Sequence, residues 1–173
     1  MRDISLITTP PTGRKSVKTI VSRYSKSLVF EAIQREFYRD GQVFYLLNNV
    51  SMLEEKKKEI SDRFPGKTIA FAHGQLRPKE LSKVMESFIR KEIDLLVCTT
   101  IIESGIDIEN ANTLIVEESE NYGLSQLHQI RGRVGRSKRE AYAYFLLNEN
   151  KELKNKASER INALQENLSL IHI

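Results

Sequence analysis

Short apolar runs alternate along this chain with amphipathic stretches. Val43-Phe-Tyr-Leu-Leu47, Thr68-Ile-Ala-Phe-Ala72, Asp94 to Thr99, Thr113-Leu-Ile-Val116 and Ala141-Tyr-Ala-Tyr-Phe-Leu-Leu147 have the length and near-continuous hydrophobicity of buried strands. A further run, Ile4 to Thr8, precedes a break at Pro10-Pro11. Between the runs lie helical patterns. One spans about Ser27 to Arg39 and ends at Gly41. A second opens at Ser51, where Glu54 completes a capping box, and stops before Pro65 and Gly66. A third takes Pro78 into its first turn and sets Leu81, Val84, Met85, Phe88 and Ile89 along one face. Strands that are apolar throughout and alternate with helices predict an α/β fold. Its mainly parallel sheet is flanked by helices on both faces, giving three layers. Ligands of such sheets gather at the carboxyl ends of the strands. The loops at His73-Gly74, Thr99 to Asp107 and Glu117 to Gly123 are therefore expected on one edge.

At 173 residues and 40% hydrophobic content, the chain can bury the core of one ordinary domain, with an appendage. No apolar run approaches the roughly 18 residues of a membrane span, and the start lacks the charged-then-apolar order of a signal peptide. A cytoplasmic setting with no membrane partner is expected. An opening almost directly on a strand, and the close Leu168-Ser-Leu-Ile-His-Ile173, suggest an excerpt from a longer protein. Residues 1–150 are expected to form the domain and 151–173 a helical extension, its last few residues open to a vector origin. The single cysteine, Cys98, excludes an internal disulfide and, inside Leu95-Leu-Val-Cys-Thr-Thr100, reads as a buried structural thiol.

The balance of 27 basic to 23 acidic residues is modest, but its placement is uneven. Gln126-Leu-His-Gln-Ile-Arg-Gly-Arg-Val-Gly-Arg136 sets three arginines at fixed offsets around two glycines. Leu124, Leu127, Ile130 and Val134 recur at helical spacing and are expected to face a core, leaving Arg133 and Arg136 to project from one side. A guanidinium is always charged and grips phosphate oxygens with two parallel donors. Together with Lys138 and Arg139 the stretch fits a polyanion, for which nucleic acid and nucleotide phosphate both qualify. The bland alternative, a solvated basic helix end, needs no glycines at that register. Lys56, Lys57 and Lys58, beside Glu54, Glu55 and Glu59, read as a solvated helix face.

Gly66-Lys67-Thr68 only imitates a phosphate loop. Ser61 stands where the motif needs glycine, and the triplet leaves a helix to enter a strand, the reverse of the required order. No Asp-Glu-x-His or Asp-Glu-x-Gln box follows any strand. Glu117, Glu118 and Glu120 lack a histidine or aspartate beside them, so a solvated strand end is expected there and no metal site.

Gln129 to Arg136 matches Gln-x-x-Gly-Arg-x-Gly-Arg, the sixth conserved motif of superfamily 2 helicases and translocases. Thr99 to Asp107 carries the threonine, glycine and aspartate of the fifth. With these motifs the chain resembles the second RecA-like lobe of that superfamily, up to about residue 150. Ser104 stands where DEAD-box RNA helicases usually have arginine, and Gln129 where they have histidine, which points away from that branch. Arg2-Asp-Ile-Ser5, Thr9-Pro-Pro11, Val17-Lys-Thr19, Gly41-Gln-Val-Phe-Tyr45, His73-Gly-Gln75, Cys98-Thr-Thr-Ile-Ile-Glu103 and Gly123-Leu-Ser-Gln-Leu-His128 are similar to the double-stranded DNA translocases that couple transcription to repair. RecG-type replication-fork translocases share the block from about Cys98 to Arg136.

The resemblance implies ATP and magnesium in the complete protein, held between this lobe and a preceding RecA-like lobe of the same chain that brings the phosphate loop and magnesium acid. It implies that Arg136 is an arginine finger with Arg133 beside it, and that Gln129 positions the γ-phosphate or the attacking water. Gly105 and Asp107 would line the same cleft. Thr99, Thr100, His73, Gly74 and, more weakly, Asn48 would offer donors to backbone phosphates of double-stranded DNA from the opposite rim of the same edge. For His73 the alternative is a turn residue bonded to its own loop. The parent would be an ATP-driven translocase that displaces stalled RNA polymerase, met through other domains, and this lobe alone would be inactive as an ATPase. The rivals are a RecG-type fork translocase lobe and a non-enzymatic nucleic-acid-binding module.

Overall fold

In the computed structural model, residues 17–99, 110–135 and 139–148 are described. The chain runs β1 (Val17–Arg23), α1 (Lys26–Tyr38), β2 (Gln42–Leu46), α2 (Val50–Arg63), β3 (Ile69–Ala72), α3 (Pro78–Ile89), β4 (Leu95–Cys98), β5 (Ala111–Val116), a 3-10 turn (Ser119–Asn121), α4 (Leu124–Arg131) and β6 (Ala141–Leu147). The strands form one sheet in the order β1-β6-β5-β2-β4-β3, and every neighbouring pair is parallel.

Strand side chains alternate between faces, so an apolar strand feeds two cores. In β2, Phe44 and Leu46 join Met85 and Phe88 of α3 and Leu127 and Ile130 of α4 on one face. Val43 and Tyr45 join Val29 and Ile33 of α1 and Leu53 and Ile60 of α2 on the other. The Phe44 and Phe88 rings meet edge to face, with centroids 5.9 Å apart. This is the three-layer α/β arrangement that the run of apolar strands predicts. Cys98 is fully buried, and burial pushes its thiol well above the ordinary value, as a structural cysteine requires. Among the described residues no helix is long and apolar enough to cross a membrane.

Several local expectations need correction. β1 has no counterpart among the predicted strands, because Lys18, Thr19 and Ser22 interrupt its apolar pattern. Among the described residues it is an edge strand with β6 as its one partner, so half-exposure suffices. The expected Ile4–Thr8 strand lies outside the described residues. Helix α2 is capped by Asn49, not by a Ser51 box: Asn49 Oδ1 accepts from the Ser51 amide at 3.2 Å and from its hydroxyl at 2.6 Å. An asparagine two residues earlier takes the orphan donors first. Ile89, expected on the buried stripe, is 52% exposed at the last turn of α3, where the face rotates out of the core.

A carboxylate lies inside the layer between α1 and the sheet. Glu36 is buried, receives two hydrogen bonds from Arg39 at 3.0 and 2.7 Å, and accepts from Thr113 Oγ1 of β5 at 2.5 Å. Gly41 passes so close that a Cβ there would fall 1.7 Å from Glu36 Oε2. The carboxylate cannot step aside without breaking its pairings. Gly41→Ala is therefore expected to cost about 3 kcal/mol, read from the urea unfolding midpoint. A loss below about 1 kcal/mol would mean that the carboxylate relocates freely.

Candidate functional site

Because every strand runs the same way, the residues that follow them share one edge. Tyr24, Asn48, His73, Thr99, Glu117 and Asn148 stand at the carboxyl ends of β1, β2, β3, β4, β5 and β6. Asn48 and Gly74 are exposed, whereas Thr99 is buried. His73 is half-buried and already engaged in its own turn. Its Nδ1 accepts from the Gln75 amide at 3.2 Å and its carbonyl accepts from Leu76 N at 3.2 Å. Thr100, Gly105 and Asp107 lie outside the described residues, as does Arg136.

A cleft of about 340 Å³ opens on this edge, with Tyr24, Lys56, Glu117 and Asn148 in its walls. Lys56 is not on a solvated face, as its run of charges suggested. It sits in the buried stripe of α2 between Leu53 and Ile60, with 9% of its side chain exposed. Its ammonium pairs with Glu117 at 3.2 Å and Glu59 at 3.4 Å, and reaches the Tyr24 hydroxyl at 3.2 Å. The Tyr45 hydroxyl donates to the same Glu117 carboxylate. Burial alone would lower the Lys56 pKa, but Glu117, then Tyr24 and Glu59, more than offset it and hold it above the ordinary lysine range. Burial, then the Glu117 carboxylate, raises Tyr45, and burial raises Tyr24 although Lys56 beside it acts to lower it. The carboxylates after β5 are likewise not a solvated end. Glu120 is buried and accepts from the Asn148 amide at 3.3 Å, while Glu118 accepts from the Asn148 side chain at 3.3 Å. A legible signal existed, since Lys56 falls three residues after Leu53 and four before Ile60.

The arginine motif begins in α4. Gly123 N donates to Gln126 Oε1 at 2.8 Å, and Leu127 and Ile130 face the core as expected, leaving Gln129 exposed. The helix ends at Arg131, and Gly132 caps it through His128 O at 3.0 Å. Val134 is buried beyond the helix. Arg133 therefore lies beyond the helix, not on its face. Arg131 is also buried. It donates to Thr19 Oγ1 of β1 at 3.2 Å, and desolvation lowers its pKa, so it braces the fold. Arg133 is half-buried.

Gly135 has φ +68°, a left-handed conformation that glycine adopts without penalty, and its amide donates to Ala111 O at 3.0 Å. A Cβ on it would lie 2.4 Å from Ala141 Cβ and 3.5 Å from Val17 Cγ2. Ala111, Ala141 and Val17 are the first residues of β5, β6 and β1. The motif thus starts beyond the carboxyl end of β5 and reaches, at Gly135, the amino ends of β1, β5 and β6. Helix α4 crosses the face of the sheet, with Leu127 and Ile130 packed against it.

Gly66-Lys67-Thr68 forms no phosphate cradle. The Thr68 amide donates to Asp94 Oδ2 at 2.8 Å and the Lys67 amide to Phe64 O at 3.1 Å, so two of its amides are already used. Among the described residues no group of three histidine, cysteine or acidic side chains could hold a metal ion.

Lys56→Met would leave Glu117 and Tyr45 facing each other in the interior, at an expected cost of about 3 kcal/mol in urea unfolding at neutral pH. Adding Glu117→Gln should recover most of that loss, and a double variant no more stable than the single one would refute the pairing. Since the folded-state pKa of Lys56 is raised above 10.5, the contribution is complete below that value. It fades only as pH climbs through the raised one.

Comparison with known proteins places this geometry. The helicase conserved C-terminal domain model matches residues 26–138. The chain is 51% identical over 166 residues to the transcription-repair-coupling factors of Staphylococcus haemolyticus and Staphylococcus epidermidis, covering 96% of this chain and 14% of each relative. The solved structure of RecG bound to a three-way DNA junction superimposes with a TM-score of 0.77 at 35% identity, over 91% of this chain and 21% of that one. A DEAD box protein from the hyperthermophile Methanococcus jannaschii shares the fold, with a TM-score of 0.64 at 19% identity, over 90% of this chain and 40% of that one. The chain therefore belongs to the helicase conserved C-terminal domain family, as a second RecA-like lobe of the kind found in transcription-repair-coupling factors.

Proposed function

We propose that the chain is the second motor lobe of an ATP-dependent double-stranded DNA translocase that removes stalled RNA polymerase and couples transcription to repair in the cytoplasm. The observation that carries this is the 51% identity to transcription-repair-coupling factors across 96% of the chain. ATP and magnesium would be held mainly by a preceding RecA-like lobe. This lobe would bring Arg136 and Arg133 to the γ-phosphate, with Gln129 orienting the phosphate or water and Gly105 and Asp107 lining the cleft.

The chemistry of phosphoryl transfer explains why arginines suffice. Negative charge spreads over the transferring oxygens, and a fixed guanidinium that meets it there accelerates the step by roughly 10³ to 10⁵. Nothing in such a step requires a base from this lobe. Duplex DNA would run along the carboxyl edge, where Asn48, Gly74, His73, Thr99 and Thr100 would meet backbone phosphates and leave base sequence unread. RNA polymerase would be engaged through other domains of the parent.

A RecG-type activity is the second reading, favoured by the 35% identity and TM-score of 0.77 to RecG on a three-way junction. Release of stalled RNA polymerase from a template by the full-length protein, without reversal of a model fork, would decide for the first. Two outcomes are expected for the motor assignment. The isolated chain should hydrolyse no ATP with or without duplex DNA. Turnover that Arg136→Ala abolishes would sink the assignment to an incomplete site. In the full-length protein Arg136→Ala should keep nucleotide binding and lose hydrolysis by roughly 10³-fold or more. Parallel loss of both would put the arginine in ground-state binding.

A further inference from the structure

The chain that leaves α4 and returns as β6 carries the motif arginines, and it is tied down on both sides of residues 136–138. On the near side, Arg131 donates to Thr19 Oγ1 at 3.2 Å and the Gly135 amide to Ala111 O at 3.0 Å. On the far side, both ties lead to Arg39 at the carboxyl end of α1. Arg139 Nη1 donates to the Arg39 carbonyl at 2.7 Å, and Arg39 Nη2 donates to the Glu140 carbonyl at 2.6 Å. Two consecutive residues of the returning segment are thus held by one residue, through its backbone and its side chain.

Arg39 has little freedom of its own. Its Nε and Nη2 grip Glu36 in a two-pronged pairing at 3.0 and 2.7 Å, and its guanidinium lies 5.4 Å from the centre of the Tyr142 ring. The Glu36 side chain is fully buried and is fixed in turn by Thr113 of β5 at 2.5 Å. Buried ion pairs add little net stability over apolar groups of similar size. What this pair provides is direction, because the planar fork fixes where the remaining donor points.

We propose that Arg39, oriented by Glu36, is a positioning residue for the arginine-bearing segment and sets where the motif arginines meet the γ-phosphate. This rests on the assignment of Arg133 and Arg136 to that phosphate. A misplacement of about 1 Å can cost on the order of 10²-fold in rate without weakening substrate binding. Lysine keeps the charge but lacks the fork, so Arg39→Lys should behave like removal.

The test is DNA-stimulated ATP hydrolysis by the full-length protein carrying Arg39→Met, Arg39→Lys or Arg139→Ala. Ile60→Ala serves as a destabilising control, in the core between α2 and the sheet. Arg39→Met and Arg39→Lys are expected to lower kcat roughly 10- to 100-fold with KM for ATP unchanged. Ile60→Ala should leave kcat within about twofold. An unchanged kcat in Arg39→Met, or an equal fall in Ile60→Ala, overturns the proposal. Should Arg39→Met fail to fold, Arg139→Ala decides: a reduced kcat at unchanged KM supports positioning, and an unchanged kcat overturns it. Arg136→Ala in the same assay separates the two layers. If it hydrolyses ATP at the unmodified rate, the phosphate assignment itself fails. If it is inactive while Arg39→Met is unimpaired, only the positioning role fails.

Discussion

Burial of the central strands on both faces is the constraint from which the rest of this lobe follows. β2, β4 and β5 are buried at every residue, so a polar side chain there has no water to turn to. Chemistry is pushed off the strands and onto their ends. Parallel pairing then sorts those ends into a carboxyl edge, where loops rich in asparagine and glutamate emerge, and an amino edge where the arginine motif returns. The apolar sheet thereby determines where polar function can lie.

The polar groups that do enter the interior illustrate the same constraint from the other side. Glu36 is admitted between α1 and β5 with three hydrogen bonds from Arg39 and Thr113. Lys56 is admitted between α2 and the sheet with two carboxylates and a tyrosine hydroxyl around it. Glu36 ties α1 to Thr113 within β5, and Lys56 ties α2 to Glu117 just beyond the carboxyl end of that strand. In a parallel sheet, whose helices are otherwise free to slide along an apolar surface, such pairs specify register more than they add stability.

Much of this was legible in the sequence because the signals were redundant. Five strands announced themselves by length, hydrophobicity and bounding turns, and α3 by Pro78 and its apolar stripe. β1 escaped because an edge strand faces weaker demands, and Lys18 and Ser22 satisfy them without an apolar pattern. The paired state of Lys56 escaped for a different reason. A lysine within a run of charges reads as solvated unless its place in the helical stripe is weighed against its type. The end of α4 was misjudged because Val134 continues the apolar spacing after Gly132 has already capped the helix. Spacing alone cannot tell a buried residue inside a helix from one just past it. The family was legible from a few motif residues. The place of Gly135 at the amino ends of the strands was not, since it depends on how far α4 travels across the sheet, roughly 12 Å for eight residues.

Gly135 ties two positions of the chain together in a way that outlasts any one sequence. Its missing side chain leaves the space that Ala141 Cβ occupies, at the point where three strands begin. Alanine is already the smallest residue with a side chain, so enlarging either position closes the gap between the arginine segment and the sheet. Only a second glycine at 141 would reopen it, and the left-handed backbone at 135 would still resist a side chain. Divergent copies of this lobe should therefore show the two sites as a locked pair, drifting together or not at all.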